Sequence, residues 1–147
     1  MTFDPKNFTN EPYALIDNLK PWGHEIIFTN PKSPYTGKVL YVNSGKRISL
    51  QIHDKKQETQ LLFSGRCNLI IDNQKGELET IEMKLLVGYT IKVGQRHRLA
   101  AITDCAIFEA STPEIGTTRR LEDDYKRPDQ TDKVRSRERK SLTEQQK

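Results

Sequence analysis

Long apolar runs are missing from this chain, and cysteine, histidine and tryptophan are scarce, at two, three and one among 147 residues. A membrane-spanning helix needs about 20 consecutive apolar residues, and no segment supplies them. The start, MTFDPKNFTN, lacks the basic-then-apolar order of an export signal. The expectation is a soluble, cytoplasmic protein with no membrane partner. Cys67 and Cys105 are too few and too distant to form a small disulfide framework or a CxxC metal knuckle, and each sits in an apolar stretch where a buried free thiol fits.

Neither charge sign dominates the body of the chain. The formal excess is +4, from 24 basic and 20 acidic residues, but residues 133–147, KVRSRERKSLTEQQK, hold six of the bases and two of the acids. The remainder therefore carries 18 of each, so the basicity belongs to the tail. That tail has no interleaved aromatics and mixes in glutamates, which argues against nucleic-acid or anionic-membrane binding. With no apolar periodicity beyond Pro128, residues 128–147 read as a polar, disordered basic tail.

What is present is a succession of short β-prone segments. KVLYV, RISLQIH, ETQLLF, RCNLII, ETIEMKLLV, YTIKV, HRLAAI and CAIFEAS follow one another from Lys38 to Ser111, punctuated by NSG, DKKQ, SG and DNQKGE. Regular strands at this spacing point to an all-β sandwich or barrel. ETIEMKLL also has helical propensity, but its place between two strand signals favours a strand. Before this run, EPYALIDNLK suggests a short helix and HEIIFTN a strand. After it, a short helical turn is expected around Leu121 to Tyr125. The compact body spans roughly residues 12–127, and 147 residues suffice for one core.

The histidines carry the chemistry. Gln51 and His53 share one face of a strand, because side chains alternate with period two. Gly45 is followed by five residues and Gln51, one residue and His53, four residues and Glu58, then six residues and Gly65. These intervals resemble the first motif of the cupins, in which a glycine, a His-x-His pair, a glutamate and a second glycine recur. Gln51 stands where the first histidine would be. Gly94, two residues and His97 resemble the second motif, whose single histidine completes the site. His24, in PWGHE, has no such company and reads as structural.

The resemblance implies a double-stranded β-helix, or jelly-roll barrel, with short N- and C-terminal helical or irregular extensions. It also implies a divalent metal held by Gln51, His53, Glu58 and His97. Two imidazoles, a carboxylate and an amide oxygen suit zinc, manganese, iron or nickel, with room for water or substrate. An amide is a weak ligand, so Gln51 either binds at reduced affinity or hydrogen-bonds a metal-bound water.

KPWGHE, SLQIHDKKQET and EASTPEIGTTRRLEDDYKR are similar to the stand-alone cupins related to the C-terminal domain of type II mannose-6-phosphate isomerases. In these a PWG element precedes the barrel and a segment of the form RLEDxYGR follows it. The match divides the chain into an arm (1–19), a cupin domain (20–127) and the tail (128–147). Several positions depart from the pattern: Lys92 replaces a proline, Leu86 and Lys126 replace glycines, and Ala101 replaces an asparagine. Asp54, Lys55 and Lys56 fill the place of a histidine-arginine run. The implied activity is aldose-ketose isomerisation of a sugar phosphate through an enediol, with Lys56, Glu109 and Arg98 as candidate catalytic residues and Lys56, Arg98 and Arg120 as phosphate ligands. The alternative is a non-catalytic cupin that binds a sugar or other small molecule. A homodimer is the implied assembly.

Overall fold

The computed structural model describes residues 1–147. After a single 3-10 turn at Pro5–Asn7 come eleven strands: β1 Leu15–Asp17, β2 Gly23–Ile27, β3 Thr36–Val42, β4 Leu50–His53, β5 Glu58–Ser64, β6 Cys67–Asp72, β7 Leu78–Glu82, β8 Gly88–Ile91, β9 His97–Ala101, β10 Cys105–Ser111 and β11 Thr118–Glu122. One helix, α1 Asp132–Gln145, closes the chain. The strands form two sheets, ordered β1-β2-β3-β10-β5-β8 and β11-β4-β9-β6-β7. Every strand pair in them is antiparallel. This is the expected all-β jelly roll.

Alternation builds its interior. Along β5, Glu58, Gln60 and Leu62 are buried while Thr59 and Leu61 are half-buried, and β10 and β3 follow the same period of two. The inward apolar residues, among them Val42, Leu62, Leu69, Leu99 and Ile107, join Trp22 of the PWG element in one cluster. Cys67 and Cys105 lie in it as free, buried thiols. His24 stacks on Tyr41, with ring centroids 4.5 Å apart. Gly65, in the tight β5–β6 turn, has φ +80°, and a Cβ there would collide with the Asp104 carbonyl, so only glycine fits.

Three local expectations are corrected. EPYALIDNLK forms no helix: Leu15 and Asp17 face inward on β1, which pairs with β2 in the register Leu15 to Ile27. Three residues of strand satisfied by a neighbouring edge outweigh a helical propensity that one or two turns cannot nucleate. The segment from Leu121 to Tyr125 is not helical either, since β11 runs to Glu122 and a turn follows.

The tail is the largest correction, because residues 132–145 form a docked helix. Thr131 caps it, accepting a hydrogen bond from the Val134 N–H, and Asp132 in the first turn suits the helix dipole. Its inner face is Val134, Arg135, Glu138, Arg139 and Leu142, of which Arg135 and Leu142 are buried. That spacing is helical but mostly polar, so an apolar periodicity does not reveal it. Leu142 packs with Leu15 and Ile27 in a second small cluster, a burial worth about 1.5–3 kcal/mol for one leucine. Beyond the helix, the Gln146 amide donates to the Ile16 carbonyl (2.6 Å) and accepts from the Ile16 N–H (3.1 Å), covering the free edge of β1.

Candidate functional site

The two sheets meet over a polar pocket in the upper part of the barrel. Gln51 and His53 come from β4, and Gln51 is directly opposite His97 on β9. Glu58 reaches the same point from β5 in the other sheet. The ligand-capable atoms of His53, Glu58 and His97 lie within 4.8 Å of one another, and all three residues are buried. The spacing that suggested a joint site in the sequence therefore corresponds to joint geometry.

Hydrogen bonds behind the histidines set their orientation. The His97 Nδ1–H donates to the Gln95 carbonyl at 2.9 Å, which leaves Nε2 as an acceptor facing Glu58 Oε1, also at 2.9 Å. Two acceptors at that distance require a cation between them, either a proton on the ring or a metal ion. The His53 Nδ1 meets the Thr118 hydroxyl at 2.9 Å, and its Nε2 lies 3.6 Å from the same Glu58 oxygen. Two oriented imidazoles and a carboxylate converging in this way fit a divalent ion.

Gln51 is arranged differently. Its Oε1 accepts from the Ser49 hydroxyl at 2.7 Å, and its amide nitrogen faces both imidazole Nε2 atoms at 3.4 Å. An amide N–H₂ donates hydrogen bonds and does not ligate a metal. A half-turn of the side chain would bring Oε1 inward and present an N–H to Ser49.

Charge around this cluster is heavily coupled. Lys56 stands between two carboxylates, 3.0 Å from Glu58 Oε2 and 3.0 Å from Glu109 Oε2. Burial works against the Lys56 ammonium, but Glu109 and Glu58 hold its pKa above the ordinary value. Burial also opposes ionisation of Glu58, yet Lys56 and the two histidines hold its carboxyl well below the usual range. Glu109 is shifted the other way, raised by burial and by the neighbouring Glu58 charge. His53 is lowered, chiefly by burial and then by the Lys56 charge.

A cavity of ≈ 60 Å³ adjoins the cluster and is lined by Gln51, His53, Lys56 and Glu109 together with Arg120 of β11. It has room for a few waters or one small ionic group. Arg98 is absent from this lining. Alternation turns it to the opposite face of β9 from His97, where its guanidinium donates to the Ile48 carbonyl at 3.0 Å and lies 3.4 Å from Glu122. The expectation that Arg98 binds phosphate or acts in catalysis is therefore corrected.

The cavity also contains residues that the sequence did not single out: Glu25, Lys38, Glu114, Arg135 and Arg139. Glu114 binds Lys38 at 2.8 Å and Arg139 at 2.9 Å. The only sequence signal for the two arginines was their four-residue separation, which places both on one helix face.

No family model matches the sequence, and no curated protein matches it. Solved structures do resemble the fold. KdgF from Halomonas sp. superposes with a TM-score of 0.59 at 11% identity, over 67% of this chain and 87% of that one. A deletion mutant of Bacillus subtilis oxalate decarboxylase gives 0.65 at 15%, over 78% and 33%. The capsular polysaccharide assembling protein CapF from Staphylococcus aureus gives 0.55 at 15%, over 87% and 34%. The chain thus spans about a third of the length of the last two. All three are cupin-fold proteins, and this chain has the cupin fold. Within that fold it has a buried His-His-Glu cluster able to hold a metal ion. No helix is long and apolar enough to cross a membrane.

Proposed function

We propose that the chain is a metal-binding cupin acting on a sugar phosphate, an aldose-ketose isomerase of the mannose-6-phosphate isomerase kind. The observation that carries this reading is the convergence of His53, Glu58 and His97 beside a cavity that also contains a buried carboxyl, Glu109, and a cation without a carboxylate partner, Arg120. His53, Glu58 and His97 hold the metal, zinc, manganese, iron or nickel. Gln51 either lends its oxygen or hydrogen-bonds a bound water. When bound, such an ion supplies the electrophile that enediolate chemistry requires.

The remaining work falls to the protein's own groups. Glu109 carries the proton between C1 and C2, and its raised pKa suits a group that must both accept and return it. Lys56, 3.0 Å away, fixes the carboxyl in place and contributes positive charge near the developing oxyanion. Arg120 holds the phosphate end. The resemblance of the PWG, QIH and RLEDDY segments to isomerase-related cupins supports the substrate class. CapF, a capsular polysaccharide assembling protein, is a precedent for carbohydrate chemistry on this fold.

The test is an NMR assay with mannose 6-phosphate and added metal. Conversion to fructose 6-phosphate is expected, and none would sink the isomerase assignment while leaving the metal centre standing. One observation favours a non-catalytic sugar-binding cupin as the second reading: Lys56 ties up both Glu58 and Glu109, where isomerase relatives carry a histidine-arginine run. Binding of the sugar phosphate without turnover would select it. A homodimer belongs to the same proposal. The exposed aromatic face of the larger sheet, with Phe28, Tyr35, Phe63 and Phe108, offers it apolar surface, and the solution mass of the purified protein checks it.

A further inference from the structure

We propose that α1 completes an anion subsite inside the barrel cavity, in which Arg135 and Arg139 of the helix join Arg120 of β11 to grip an oxyanion of the phosphate class. The assignment rests on the reading of this cavity as the substrate site, and extends it to a segment outside the barrel strands.

Three buried N–H groups carry the argument. Arg120 Nε, Arg135 Nε and Arg139 Nη1 are each shielded from solvent and make no hydrogen bond, and all three residues line the same cavity; Arg135 Nε and Arg139 Nη1 each lie 3.6 Å from a carboxylate, of Glu114 and Glu25, whereas Arg120 Nε has none near it. A buried charged donor without a hydrogen bond is costly, so three around one space point to a ligand that supplies the missing acceptors. Each guanidinium is already anchored through at least one other nitrogen. Arg120 Nη1 donates to the Pro128 carbonyl at 2.6 Å; Arg135 donates to Asp132 (2.9 Å) and to the Glu114 and Gly116 carbonyls (3.3 and 3.1 Å); Arg139 Nη2 donates to Glu114 at 2.9 Å. The spare N–H groups are therefore held in position before any ligand arrives.

Charge agrees with this. Seven cations and three carboxylates line the cavity. Six of those cations have acid partners: Lys20 with Asp17, Lys38 with Glu114, Lys56 with Glu109, Arg127 with Asp123, Arg135 with Asp132 and Arg139 with Glu114. Arg120 makes no ion pair. The carboxylates also shape the ligand. Glu25 Oε1 is a buried acceptor with no hydrogen-bond partner, 3.6 Å from Arg139 and 3.8 Å from both Lys20 and Lys38. An acceptor beside spare arginine donors matches an anion that carries a neighbouring hydroxyl, the pattern of a phosphorylated polyol. At ≈ 60 Å³ the space takes the charged end of such a molecule.

The experiment is a titration of the full-length protein with inorganic phosphate, followed by calorimetry and by backbone amide shifts, with and without chelator. Wild type is expected to bind phosphate with chelator present, and Arg120→Gln and Arg139→Gln each to weaken it at least tenfold. Because Arg139 also helps dock α1, Arg120→Gln, which breaks no ion pair, is the decisive variant, and Arg120→Lys should restore part of the affinity. Lys133→Gln, an equal charge change at an exposed position of α1, should leave binding unchanged. The proposal is overturned if wild type does not bind phosphate, if Arg120→Gln binds as wild type does, if Lys133→Gln loses as much affinity, or if only His97→Ala abolishes binding, which would put the anion at the metal centre. Metal content measured on the same samples separates this outcome from that of the metal reading: phosphate binding without metal retention would sink the latter and spare the subsite.

Discussion

The two halves of the barrel interior are equally buried and chemically opposite. On β5 the inward face passes from Glu58 and Gln60, 2% and 1% exposed, to Leu62 at 1%; on β9 it passes from His97 to Leu99, both at 0%. Two residues along a strand separate an ionic network from a hydrocarbon core. The apolar half gains stability from area removed from water. The polar half costs desolvation at every charge and offsets it with ion pairs such as Lys56 with Glu58 and Glu109, Arg120 alone among the cavity's cations having none. It is the expensive half, and it is the half that faces the cavity.

The sharpest way to break the contrast is to damage one half and read the other. Leu99→Ala, at a fully buried site, should cost about 2–5 kcal/mol in a denaturant melt, with metal content per folded molecule unchanged. Loss of metal along with stability would mean that the halves are not separable.

The helix is next. Leu142→Ala removes most of the apolar contact between α1 and the β1–β2 pair, and we expect a loss of roughly 2–3 kcal/mol, with hydrogen exchange accelerating in α1 before it does in β9 or β10. Uniform acceleration would contradict separate docking of the helix.

Acid should act on the same junction. Burial works against the Glu114 carboxylate, but Lys38, Lys56 and Arg139 outweigh it and hold its pKa well below the ordinary value. A carboxyl whose folded pKa is depressed contributes stability in full above its unfolded pKa and loses it as pH falls through the folded value. Melting temperature should therefore fall on acidification below the usual carboxylate range, and Glu114→Gln should flatten that part of the profile. An unchanged profile in the variant would assign the acid sensitivity elsewhere.

The smallest expected effect is a gain. Leu86 and Lys126, the two residues that replace glycines of the patterns the sequence resembles, have φ of 61° and 54°. The backbone thus keeps the left-handed turn although the side chain makes it strained. Leu86→Gly and Lys126→Gly should each stabilise by about 0.5–1 kcal/mol, read as a rise in melting temperature.

The same contrast explains what the sequence made legible. Strands β3 to β10 announce themselves by alternation between turn residues, and the His-His-Glu cluster by intervals that alternation converts into a common face. Two strands and an intervening turn place Gln51, His53 and Glu58, and one pairing, Gln51 opposite His97, closes the set. The far wall of the cavity offered no such rule. Glu25, Glu114 and Arg139 meet through long-range docking of a helix whose inner face is mostly polar, so neither hydrophobic periodicity nor motif spacing marks it. Arg98 shows the limit from the other side, since adjacency to His97 in sequence is opposition across a strand in space.

The most direct test of the central claim, that the polar half of the barrel is a metal centre built by His53, Glu58 and His97, is elemental analysis of protein purified without chelator. Wild type and Leu99→Ala should retain a near-stoichiometric divalent metal, while His53→Ala and His97→Ala should lose it. Equal retention in all four proteins, or none in wild type after reconstitution with zinc, manganese, iron or nickel, would contradict the account.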